Sequence, residues 1–168
     1  MASKKPIVRQ IAWISLMPQL LFMGVLVLLY SFIIEPFVNA VTVAMITYLV
    51  ISFTLRFSIS HNHRKGISLI KSNNYKGAIE QFEKSYVFFK KHEWIDKFRY
   101  VTMLSSSRVS YIEMSLINIA FANTQIGNGE IAKNYYKRCL IEFPDSEMAK
   151  TALNMISSIE NTSKNTTN

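Results

Sequence analysis

The chain has 168 residues, 19 Lys and Arg against 11 Asp and Glu, and a single Cys. Nearly half of it is apolar, and of the 46 residues between Arg9 and Arg56 only Glu35 carries a charge. Such a stretch excludes a wholly soluble domain, and one Cys excludes a disulfide-stapled secreted scaffold.

Residues 1–10 form a basic N-terminus with Lys4, Lys5 and Arg9. Ile11 to Ile34 follows, 24 residues with 19 apolar, which as a helix extends roughly 36 Å and covers a hydrocarbon core with some tilt. Pro18 and Gly24 are tolerated there because membrane helices can re-satisfy freed backbone groups. A second uncharged run, Phe37 to Leu55, has Asn39, Thr42, Thr47, Ser52 and Thr54 as its polar members. Glu35-Pro36 between the runs predicts a tight hairpin turning at Pro36, so residues 11–60 form a two-helix transmembrane hairpin. Arg56, Arg64, Lys65 and Lys71 follow the second run, and the positive-inside rule puts both termini in the cytoplasm; a bacterial cell membrane is the expected location. A cleaved signal peptide needs an apolar core of about 7 to 15 residues and a small-residue site, and Ser31-Phe32-Ile33 is no such site. With a cytoplasmic tail, the sequons at Asn161 and Asn165 meet no glycosylating lumen.

From residue 61 to about 160 the pattern turns to amphipathic helical periodicity, which predicts an all-α domain. Breaks fall at Ser72-Asn73-Asn74, Lys91-His92-Glu93, Ser105 to Ser107, Gly127-Asn128-Gly129 and Pro144-Asp145. Asn74, Asn128 and Asp145 are expected to cap the helices that follow, and Ser110 to Glu113 has capping-box spacing. Six helical pieces result. Residues 161–168 read as a disordered polar tail, part of a longer polar stretch from Glu160.

Two hairpins repeat one pattern. When Ala78 is aligned with Ala132, Phe82 falls on Tyr136 and Gly66 on Ala120, with Gly127 at the second turn and Pro144 closing the second unit. Small residues where paired helices cross, an aromatic four residues later and a closing Pro resemble the tetratricopeptide-repeat (TPR) family, over about residues 61–90 and 110–144. The first unit has Lys90 in place of the closing Pro, and Glu93 to Ile112 intervenes where the family runs on. Trp94, Ile95, Phe98, Val101 and Leu104 stand there at helical spacing, so the insertion reads as an extra packed helix. That helix and Asp145 to Ile159, with Ala149, Leu153 and Ile156 on one face, are expected to supply the layers a two-unit array lacks.

The resemblance implies a concave groove lined by the first helix of each hairpin. It would present Met114, Ile117, Asn118, Phe121 and Gln125 in the better-matched unit and His63, Arg64 and Ile67 in the other. Core packing against the insertion is an alternative for Ile117 and Phe121. Of the family's Lys, Arg and Asn carboxylate clamp, Arg64 and Asn118 alone have counterparts, and the clamp is not expected.

No catalytic, cofactor-binding or metal residues are expected. No phosphate loop, dinucleotide fingerprint, zincin motif or nucleophile elbow occurs. His61 and His63 point apart on a helix, and Cys139 falls where the family packs a small residue, which makes a buried thiol. Charge divides by region: His61 to Ser110 holds ten basic and four acidic residues, Tyr111 to Asn168 five and six. The basic half either attracts anionic lipid or solvates helix faces and fixes topology; no motif points to nucleic acid. The expected function is therefore a non-enzymatic membrane-anchored adaptor that binds a protein partner, peptide or helix, at the cytoplasmic face. The alternative is a small structural subunit or assembly factor of a membrane complex, held mainly through its spans, where Gln19, Asn39 and the Thr residues could pair with another protein's helices.

Overall fold

A computed structural model describes residues 16–166. Residues 1–10, the Ile11 to Ser15 part of the first apolar run and the last two residues lie outside that range. The described residues are all-helical, without strands: α1 (Leu16–Ser31), α2 (Phe37–Ile59), α3 (His61–Lys71), α4 (Tyr75–Lys91), α5 (Glu93–Lys97), α6 (Arg99–Thr102), α7 (Tyr111–Gln125), α8 (Gly129–Glu142) and α9 (Glu147–Thr166). They divide into two units, one of residues up to His61 with Glu93–Arg108, the other of Asn62–His92 with Val109 onward.

In the first unit α1 and α2 form an antiparallel hairpin joined by residues 32–36. Ala40, Ala44 and Ser52 are its buried members on α2, because small side chains let two helices approach closely. Tyr30 Oη and Thr47 Oγ1 pair at 3.2 Å across it. The hydroxyls of Thr42 and Thr54 donate to carbonyls one turn back, Val38 O at 2.9 Å and Val50 O at 2.8 Å. The outer faces expose Leu20, Leu21, Leu28, Leu49, Val50 and Phe53. Among the described residues α2 alone is long and apolar enough to cross a membrane, with a mean hydropathy of 1.9 over its most apolar stretch. Only 17% of that stretch is buried, unlike the core helix of a soluble domain.

The insertion departs from expectation. In place of one packed helix there are α5 and α6, one turn or so each, then irregular chain from Met103 to Ser110. It groups with α1 and α2 in the first unit. Trp94, Phe98 and Val101, expected to be packed, are exposed, while Leu104 and its neighbour Met103 are buried.

In the second unit the two helical hairpins turn by the same device. Asn73 (φ 59°) and Gly127 (φ 81°) adopt the left-handed conformation. The next amide reaches five residues back in both cases, Asn74 N to Leu69 O and Asn128 N to Asn123 O, each at 2.9 Å, beside the shorter bonds Asn73 N to Ile70 O and Gly127 N to Thr124 O. This is a Schellman ending, which satisfies carbonyls the helix leaves open. Both turns keep the offset that superposes Ala78 on Ala132.

Capping follows sequence at Asn74, whose side chain accepts from Gly77 N at 3.0 Å, and at Ser110, which accepts from Glu113 N at 3.0 Å. Asn128 precedes α8 but makes no side-chain cap; its Nδ2 donates to Asn123 Oδ1 at 3.4 Å. Asp145 does not cap α9, which starts later and is preceded directly by the buried Ser146. Nor does α9 stop at Ile159: no Gly or Pro interrupts it before Thr166, so propagation costs only one residue's freedom per bond gained.

Helix α7 packs against α4 on one side and α8 on the other, and α8 against α9. One core cluster joins Leu116, Ala120, Ala132, Tyr136, Cys139 and Ala149, covered in part by Leu153 and Ile156. A second joins Ala78, Phe82 and Ile119, with Ile67, Leu69 and Ile70 from α3.

Candidate functional site

The residues of α7 that neither neighbour covers define the candidate site. Ile112, Ser115, Leu116, Ile119, Ala120, Ala122 and Asn123 are buried. Of the eight that remain, Tyr111, Glu113 and Thr124 lie beside a set of five, Met114, Ile117, Asn118, Phe121 and Gln125, spaced by three, one, three and four positions, which is one stripe of a helix. Phe121 is 38% exposed, Gln125 is exposed, and Met114, Ile117 and Asn118 are half-buried. Ile117 also packs on the Leu116 and Tyr136 cluster, so it serves the core rather than an open surface. Phe121 has no such assignment, although an exposed aromatic is costly to leave in water.

On α3 the three expected groove residues separate. Arg64 is exposed and Ile67 half-buried against the Phe82 cluster. His63 is buried at 7% exposure, with its ring edge-on to Phe82 at 5.3 Å and to Tyr111 at 5.2 Å. Its Nδ1 has no hydrogen-bond partner, and burial lowers its pKa to about 4, which leaves a neutral ring acting as an apolar filler. The expectation that a groove presents His63 to a partner is corrected: at this register α3 faces α4, and the aromatic rings of Phe82 and Tyr111 exclude water. His61, two positions earlier, is exposed.

Sequence reasoning did not single out a polar hub that ties α4 to α8. Tyr86 Oη donates to Glu142 Oε1 at 2.9 Å, Lys90 Nζ to Glu142 Oε2 at 3.1 Å, and Arg138 Nη2 to Tyr86 Oη at 2.6 Å. The Arg138 guanidinium also lies 4.6 Å from the Tyr86 ring centre. Burial pushes the Glu142 carboxyl up, but hydrogen bonds from Tyr86 and Lys90 together with the nearby cations more than reverse this and hold it below the usual carboxylate range. Arg138 and Glu142, four apart, were a local sign of it; the partnership with Tyr86 and Lys90 needs the helix packing. Cys139 is fully buried, its thiol pushed up to about 11 by burial, which fits packing rather than nucleophilic chemistry.

The α7 stripe thus has one exposed apolar residue, Phe121, flanked by the amide side chains Asn118 and Gln125 and by Met114, while Val87, Ile131, Ile141 and Met155 are exposed elsewhere on the unit. It can bury an apolar side chain and hydrogen-bond a backbone or amide beside it. Comparison with protein-family models, curated proteins and solved structures finds no match to this chain.

Proposed function

We propose that the chain is a membrane-anchored, non-enzymatic adaptor, in which α1 and α2 cross the membrane as a hairpin with both termini cytoplasmic and a TPR-like helical domain binds a protein partner. The observation that carries it is the stripe of α7: with α4 and α8 on its other faces, it leaves Phe121 and Gln125 exposed and Met114 and Asn118 half-buried beside them. Interfaces favour such a centre, an aromatic with adaptable polar and Met neighbours. The repeated Schellman turns and the matched Ala78 and Ala132, Phe82 and Tyr136 support the TPR-like reading. The 24-residue apolar run from Ile11 to Ile34 supports a second span beside α2, and the cationic residues after α2 favour the cytoplasmic orientation.

The alternative, a structural subunit or assembly factor held through its spans, draws less support. Asn39 is exposed, but the other polar groups it would use are engaged at home: Gln19 Nε2 donates to Leu104 O at 3.1 Å, and the hydroxyls of Thr42, Thr47 and Thr54 bond within the hairpin. The test is affinity purification of the full chain in mild detergent, beside Phe121→Glu and Asn118→Ala. A partner that is retained by the full chain and lost with Phe121→Glu is the expected result. Equal retention by both variants rejects the α7 surface, and retention by residues 1–60 alone favours the subunit reading.

A further inference from the structure

From Trp94 to Val101 the segment Glu93–Arg108 turns most of its large apolar side chains outward, although Met103 and Leu104 beyond them are buried. Its exposed face carries Trp94, Phe98 and Val101 at 60, 54 and 61% exposure, while Asp96, Arg99 and Ser105 are buried at 2, 8 and 6%. The three apolar residues follow i, i+4, i+7 spacing, and the backbone is nearly continuous through Phe98, with Phe98 N on Trp94 O at 3.0 Å and Thr102 N on Phe98 O at 3.0 Å. They therefore share one face. In water this arrangement is unfavourable on both counts.

The polar interior has a specific employment, which is to satisfy irregular backbone. Arg99 donates to the carbonyls of Asp96 (Nη1, 2.9 Å), Ser107 (Nε, 2.9 Å) and Arg108 (Nη2, 2.6 Å). The carbonyl of Leu104, a residue at φ 48°, accepts from Gln19 of α1 and from Arg56 of α2, and Arg56 Nε also reaches Met103 O at 3.4 Å. Non-helical backbone that touches a bilayer must be satisfied in this way, because lipid offers no hydrogen bonds.

Location completes the argument. Gln19 lies near the start of described α1 and Arg56 near the end of α2, at the hairpin end away from the turn. Phe37 to Arg56 extends about 29 Å along the helix axis, the thickness of a hydrocarbon core. The segment is thus pinned where α2 leaves the hydrocarbon, the end of α2 at which Phe53 and Phe57 are also exposed.

We propose that Glu93–Arg108 is an interfacial element seated in the lipid headgroup region, with Trp94, Phe98 and Val101 as its membrane contact and Lys97, 5.9 Å from the Phe98 ring centre, reaching the phosphates. Trp belongs at that depth, where its ring is buried and its N–H stays wet. The inference rests on the membrane reading of α2 but not on the α7 surface.

The test uses the full chain carrying Trp13→Phe, so that Trp94 is the sole tryptophan, reconstituted in phosphatidylcholine bilayers brominated near the headgroup or near the chain ends. Trp94 emission is expected to be lost mostly to the shallow bromines and much less to the deep ones. A parallel chain with Trp13→Phe, Trp94→Phe and Leu49→Trp reports the middle of α2, and is expected to be quenched best by the deep bromines. Quenching of the Leu49 reporter with none of Trp94 overturns the proposal and leaves the span intact, as when a second copy or a protein partner covers the patch. Failure of both reporters overturns the span as well. Should Trp13→Phe disturb folding, a nitroxide on Phe98→Cys in a Cys139→Ser chain gives an independent reading. Relaxation by oxygen in preference to an aqueous nickel chelate supports the proposal; the reverse overturns it.

Discussion

Replacing Gly66 with Ala sets two effects of opposite sign against each other. A methyl on an exposed helix position gains about 1 kcal/mol relative to Gly through backbone entropy. At Gly66, however, the new Cβ would stand 2.7, 2.8 and 2.9 Å from three carbons of the Phe82 ring. Phe82 is fully buried in the cluster with Ala78 and Ile119, so it cannot swing aside as an exposed side chain would. Overpacking of this kind costs about 3 kcal/mol at the upper end of its usual range. The net expectation is a destabilisation of about 2 kcal/mol.

Cys139 supplies the assay. It is the only thiol, fully buried in the core that α7 shares with α8 and α9, so a maleimide reaches it only when that core opens. Labelling of the full chain in detergent, referred to the rate in the denatured chain, then reads the opening free energy. Gly66→Ala is expected to accelerate labelling roughly 30-fold, at about 1.4 kcal/mol per tenfold. Gly129→Ala is the control, because a Cβ there meets nothing within 4 Å, and it is expected to leave labelling unchanged or slow it. If Gly66→Ala slows labelling as well, the close approach of α3 to Phe82 is not a packing constraint and the crossing role of Gly66 falls.

Three further outcomes follow from the same unit. His63 titrates near 4 when folded against 6.5 when unfolded, so between those values the unfolded chain binds the extra proton and stability falls as pH drops, by about 3 kcal/mol in all. Hydrogen-exchange protection of α3, corrected for intrinsic rates, should show that slope and lose it in His63→Phe; an unchanged slope assigns it elsewhere. Glu142→Gln weakens the tie between α4 and α8 and should speed Cys139 labelling about fivefold at neutral pH, for a cost of about 1 kcal/mol after allowing for the exposure of Lys90. Its contribution is present above the ordinary carboxylate value and is lost as pH falls through the lower folded one, so wild type and variant should converge in acid. Ser115→Ala leaves the buried Ser85 hydroxyl without its 3.0 Å partner and should cost about 1 to 2 kcal/mol, part of which Ser85→Ala in the same chain recovers.

The helices after residue 61 and their turns were legible because their signals are local. Asn-Asn and Gly-Asn at the turns, the Ser110 cap and the Ala and aromatic spacings each act within one turn or one hairpin, and they reappear as Schellman endings and buried Ala78, Ala132, Phe82 and Tyr136. His63 was not legible for the opposite reason. A polar residue in a basic stretch reads as solvated, and only the arrival of Phe82 and Tyr111 from two other helices makes its site apolar. The Glu142 hub fails similarly, since 52 positions separate it from Lys90 and 56 from Tyr86.

The insertion shows a different kind of limit. Apolar residues at helical spacing establish that a segment has two unlike faces, but the period is the same whether the apolar face points to a protein core or to lipid. What breaks the tie is the other face. A helix packed on a soluble core puts its charges in water, whereas Asp96 and Arg99, three apart and opposite the Trp94 stripe, are withdrawn from solvent with the guanidinium spent on three backbone carbonyls. Burying a cation to satisfy irregular backbone is costly beside water, where carbonyls can be hydrated freely. It becomes economical where water is scarce, so the placement of Arg99 and the exposure of Trp94 are two consequences of one environment.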